Sequence, residues 1–70
     1  MTEEEFVLSV CNKIKDVRIQ KGITQFDLAT DIGIDDSSLR RVENGRTSPT
    51  LKTLFKIACA LHIKVGDLLP

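Results

Sequence analysis

A single histidine, only two cysteines and no glycine-rich phosphate loop leave this 70-residue chain little with which to do catalysis. There is no histidine–cysteine cluster to hold a metal, and the adjacent carboxylates Asp35-Asp36 diverge on a helix instead of facing one another. No enzymatic activity, no metal and no cofactor are expected. Cys11 and Cys59 stand 48 positions apart, away from any ligand spacing. They read as small core hydrophobes, with a disulfide as the alternative. No apolar run reaches the length of a membrane span, and the opening MTEEEF lacks the basic-then-apolar plan of a signal peptide. A cytoplasmic location without membrane contact follows. Internal repeats, low-complexity tracts and strand-like alternation are missing too.

Net charge is the last absence. Ten basic side chains balance ten acidic ones, which argues against a generic polyanion binder. The hydrophobic share of 41% is too high for a disordered chain. Residues 1–70 are therefore expected to form one small all-α domain with a modest core. The charges are unevenly spread. Glu3, Glu4 and Glu5 open the chain, whereas residues 37–56 carry Arg40, Arg41, Arg46, Lys52 and Lys56 against Glu43 alone. That stretch is either a phosphate-binding footprint or an ordinary solvated surface.

Helix signals run along the whole chain. Thr2 and Glu5 have capping-box spacing, and Val7, Val10, Ile14 and Val17 make one apolar stripe. Gly22 stops that helix and Thr24 caps a second, which carries Leu28, Ala29 and Ile32 inward. Gly33 ends it, and Asp35 is expected to cap a third helix that closes at Asn44-Gly45. Thr50 caps a fourth, with Leu51, Leu54, Ile57, Ala58 and Leu61 at helical spacing. His62 follows its end, and a final short turn, Val65 to Leu69, carries Val65, Leu68 and Leu69. Five helices around one core are predicted.

The segment QFDLATDIGIDDSSLRRVENGR, Gln25 to Arg46, is the most specific. Ala29 is small enough for a close helix crossing, and Gly33 permits a positive φ at the turn. Leu39 and Val42, three apart, share the face that packs back on the preceding helix. This is the pattern of a helix-turn-helix unit, whose second helix usually enters the DNA major groove. At about 100° per residue, Asp36, Ser37, Arg40 and Arg41 cluster on the side opposite Leu39 and Val42.

Residues 13–69 resemble a Cro/repressor-type helix-turn-helix domain of the XRE family. The resemblance rests on KIKDVRIQKGITQFDLATDIGI, SSLRRVENGRTSPTLKTLFKIACAL and the closing VGDLL, with the Gln25, Ala29, Gly33, Leu39 and Val42 frame and the Glu-Asn-Gly-Arg turn in order. It implies a compact, five-helix, lambda-repressor-like domain. The implied function is sequence-specific binding of double-stranded DNA by a nucleoid-associated transcriptional regulator, of phage-repressor or restriction-modification controller type. By the same resemblance Asp36, Ser37 and Arg41, with Arg40 beside them, hold the base-reading positions, and Gln25, Asn44, Arg46 and Thr47 hold backbone phosphates. Arg18 and Glu43 match a pair that forms a structural salt bridge in some members; the alternative is two separate surface charges.

Two departures leave alternatives open. Asp36 stands where related repressors often carry glutamine. A carboxylate accepts from cytosine N4 or adenine N6 but cannot donate; otherwise it complements the helix dipole and pairs with Arg40. Phe26 replaces a usually polar residue, as a partner contact or as a lone surface aromatic. One recognition helix covers few base pairs, so a homodimer on a palindromic operator is expected, joined through Val65, Leu68 and Leu69 unless these close the monomer core. No small-molecule ligand is expected. The competing function is a protein-interaction module on the same fold, such as an anti-repressor or an antitoxin-like partner.

Overall fold

The computed structural model describes residues 1–70. It is all-helical, with α1 Glu3–Gln20, α2 Gln25–Ile32, α3 Asp36–Glu43 and α4 Leu51–Ala60. The fifth element is not an α-helix: Val65–Leu68 makes a single 3-10 turn, so the count is four α-helices and one turn. Gly66 and Asp67 leave too few apolar residues there to justify a longer helix.

The starts and stops follow from local chemistry. Glu5 N–H donates to Thr2 Oγ1 at 3.1 Å and Thr2 N–H donates to Glu5 Oε1 at 2.9 Å, closing a reciprocal cap. These bonds to Thr2 hold the Glu5 carboxyl below the usual carboxylate range. Thr24 and Thr50 cap α2 and α4 through the backbone N–H groups of Asp27 and Thr53. Gly33 takes φ +79° and lets the chain turn sharply from α2 into α3. After α4 the left-handed position falls to His62 at φ 59°, the one non-glycine with positive φ. The Ile63 N–H donates back to the Ala58 carbonyl at 3.0 Å and holds it there.

Fourteen buried apolar side chains form one cluster, drawn from all four helices and the closing turn. Ile14, Leu28, Leu39, Ile57, Leu61 and Leu68 are its largest fully buried aliphatic members. Ala29 at the α2–α3 crossing is 1% exposed and keeps the two helices close. Full burial of each large aliphatic side chain contributes about 1.5–3 kcal/mol.

Three sequence readings need correction. Leu51 has the right angular phase for the core but is 82% exposed, because it begins α4 beyond the core's edge. Cys59 is exposed, one step around the helix from buried Ala58, while Cys11 is fully buried. Both thiols are free, and burial pushes that of Cys11 up from its ordinary pKa. Leu68 lies in the monomer's own core. No helix is long and apolar enough to cross a membrane.

Candidate nucleic-acid interface

The candidate surface is built around α3, which Leu39 and Val42 fasten to the core from within. Ser37 and Arg41 point away from that face, and Asp36 and Arg40 flank them; all four are exposed. Arg40 Nη2 and Asp36 Oδ2 are 3.9 Å apart with both side chains about half exposed, a contact worth little to stability.

Asp35 occupies the N-cap position with extended backbone, yet its side chain caps no backbone N–H. Its two carboxylate oxygens instead accept from the hydroxyls of Ser37 and Ser38. Those two bonds, with help from its own backbone N–H and the Arg41 charge, hold the Asp35 carboxyl below the usual range. Capping by Asp35 through the backbone, expected from sequence, is thus replaced by a grip on two hydroxyls one turn into the helix.

Beneath α3 lies a buried polar node. Glu43, 1% exposed, accepts from Arg18 Nε at 2.7 Å and from Arg18 Nη2 at 3.1 Å. Arg18 Nη1 also donates to the Ile23 carbonyl at 2.8 Å. Glu43 Oε1 accepts a further bond from Gln25 Nε2 at 3.0 Å. One carboxylate thereby ties α1, α2 and α3 together, and no buried side-chain polar atom lacks a partner. Gln25 keeps one amide hydrogen for an external acceptor. The node also settles the local charge. Glu43 is the only acidic residue of the 37–56 stretch and is already matched by Arg18, so the exposed basic side chains there face solvent without an acidic counterpart from that stretch.

Asn44, Arg46 and Thr47 are exposed on the connection from α3 to α4. Arg41 and Thr47 border one surface concavity, together with Ser38 and Thr50. The connection starts at Gly45, φ +75°, where a side-chain Cβ would collide with Leu8 Cδ2 of α1. Val65 is half-buried and Leu69 is 42% exposed at the C-terminal end. Phe26 and Phe55 stand apart from α3 and border two concavities that share Thr30, Asp31, Ala60 and His62.

Sequence reasoning missed three of these contacts: Gln25 with Glu43, Asp35 with both serines, and Leu8 over Gly45. Only the second left a local signal, since an acidic N-cap followed at two and three residues by hydroxyls can bond either backbone or side chain.

Comparison with known proteins gives the same arrangement. The helix-turn-helix family model HTH_3 matches residues 14–68. An uncharacterised HTH-type transcriptional regulator of Methanocaldococcus jannaschii is 37% identical over 57 residues, which are 81% of this chain and 86% of that one. Antitoxin HipB of Escherichia coli is 39% identical over 56 residues, 80% of this chain and 64% of HipB. The crystal structure of the restriction-modification controller protein C.AhdI from Aeromonas hydrophila has a TM-score of 0.86 at 30% identity, covering 90% of this chain and 96% of that one. With its helix-turn-helix formed by α2 and α3, the chain belongs to the HTH_3 family and is a DNA-binding transcriptional regulator of the XRE type.

Proposed function

We propose that this regulator is a single domain that binds palindromic operators as a homodimer in the cytoplasm, with α3 in the major groove. The observation that carries this reading is the exposed basic surface formed by Arg40, Arg41 and Arg46, whose stretch holds no acid but Glu43, itself buried and paired with Arg18. Asp36, Ser37, Arg40 and Arg41 read base edges. Arg41 has the reach for a bidentate contact to guanine O6 and N7. Gln25, Asn44, Arg46 and Thr47 hold phosphates and fix the register without reading sequence. Gln25 also sits at the first turn of α2, where a helix N-terminus favours an anion.

Val65 and Leu69 form the dimer contact with the end of α4, without Leu68, which the monomer core already holds. Selection of bound sites from a random duplex pool tests the whole. It should return a palindrome with half-sites about one helical turn apart, and binding should weaken steeply with salt. A pool with no common sequence would overturn it.

A second reading, an antitoxin-like role with a protein partner, is favoured by the identity to HipB and by Phe26, which is 67% exposed. A native chain that captures no protein partner would count against it, and a complex that survives Phe26→Glu would count against Phe26 as its contact.

A further inference from the structure

The outward face of α3 is divided by hydrogen-bond polarity. Arg40 and Arg41, in its second turn, can only donate. Asp36, in its first turn, can only accept when ionised. Ser37 is the ambivalent group, because a hydroxyl donates once and accepts twice. In this structure its single donor is committed: the Ser37 hydroxyl donates to Asp35 Oδ2, while Ser38 occupies Asp35 Oδ1. Hydrogen bonds to a carboxylate are roughly twice as strong as neutral ones. Turning the Ser37 hydroxyl toward a base acceptor forfeits that bond. The two serines also favour the ionised form of Asp35, so it remains an acceptor at neutral pH.

We infer that Asp35 is a positioning residue that sets sequence specificity: by fixing the Ser37 hydroxyl as an acceptor, it makes the first turn of α3 select, on the strand that Ser37 faces, a base that presents an exocyclic amino group, adenine N6 or cytosine N4. At the same place guanine offers only O6 and N7, and thymine offers O4 and a methyl group, so lone pair would meet lone pair. Asp36, also acceptor-only, reinforces the same choice. Arg41 imposes the opposite choice one turn later, where guanine is preferred. Each half-site therefore carries adenine or cytosine opposite Ser37 and guanine opposite Arg41. This rests on the reading of Ser37 and Arg41 as base-facing residues, and it goes beyond that reading by assigning a role to a residue that touches no base.

The test uses the full chain and fluorescence anisotropy on duplexes that carry the selected site with each of the four base pairs at the two positions. The native protein should favour adenine or cytosine at the Ser37 position by roughly threefold to tenfold. Asp35→Asn keeps the shape but loses the charge and one acceptor oxygen, which frees the Ser37 hydroxyl to donate. It should erase or reverse the preference at that position and leave the guanine preference at the Arg41 position intact. On a Ser37→Ala background, Asp35→Asn should change nothing further there. Far-UV circular dichroism checks folding, and Asp35→Ser, a good N-cap in its own right, carries the test if the asparagine variant unfolds.

An unchanged preference in both Asp35 variants would overturn the inference, as would an equal gain on every duplex, which would make Asp35 only a charge near phosphate. If Ser37→Ala alone keeps the preference, or the native protein selects no sequence, then the base-reading assignment beneath the inference falls as well.

Discussion

Removing the Glu43 carboxylate should unfold this domain more effectively than any comparable change on its surface. In Glu43→Ala, Arg18, itself 8% exposed, loses both bonds to the carboxylate and keeps only Ile23 O. Gln25 loses its partner at the same time. A buried charge stripped of its counterion costs about 3–5 kcal/mol. A chain of this length has about 4–10 kcal/mol of total stability at the usual value per residue. The substitution therefore removes between a third and all of it. The converse change, Arg18→Met with Glu43→Leu, removes both charges together and should recover most of the loss, because apolar replacement of a whole buried pair is often neutral or stabilising. The chain has neither tryptophan nor tyrosine, so urea titration followed by far-UV circular dichroism is the suitable assay. A loss below about 1 kcal/mol in Glu43→Ala would show the pair behaving as an exposed one and refute the reasoning.

The other predictions concern recognition, the loop and assembly. Arg41→Ala should cost about 1–3 kcal/mol at the selected site and relax preference at one base-pair position, which duplex competition measures. Arg46→Ala should weaken all duplexes alike and reduce the salt slope by about one, as read from binding across a salt series. Gly33 and Gly45 both have positive φ, but only at Gly45 does an added Cβ meet a neighbour, Leu8. Gly33→Ala and Gly45→Ala should each cost about 1 kcal/mol in chemical denaturation from the positive φ, because the half-exposed Leu8 side chain can swing aside at Gly45. A Val65→Glu, Leu69→Glu double variant should sediment as a folded monomer; a folded dimer would move the interface elsewhere.

Angular information was written plainly in the sequence. The apolar periods of α1 and α2, the threonine caps and the glycine at the α2–α3 turn are local quantities, set within a few residues, and the structure follows them. Axial information was not. Leu51 has the correct phase, but nothing in its neighbours reveals that the core stops short of the first turn of α4. Leu68 likewise becomes a core residue only because the closing 3-10 turn folds back on α1 and α4. The polar node shows the same divide. A role for Arg18 and Glu43 together was legible through resemblance, yet the bond from Gln25 depends on how α2 crosses α3. Asp35 was ambiguous for a different reason: an acidic N-cap can accept from a backbone N–H or from a nearby hydroxyl, and here the two serine hydroxyls take its two oxygens.

The outward face of α3 carries almost no packing duty. Ser37, Arg40 and Arg41 are exposed, and substitutions at such places usually alter stability by within about 0.5 kcal/mol. Duplicated copies of this gene can therefore diverge in operator choice by drift at positions 40 and 41 without a stability toll. Position 37 is different, because its hydroxyl is held by Asp35. Positions 35 and 37 should change together across descendants, leaving a paired signature in which an acid at 35 accompanies a hydroxyl at 37. Where Asp35 is lost, the Ser37 hydroxyl is free to donate, and the operator base that it faces should change with it.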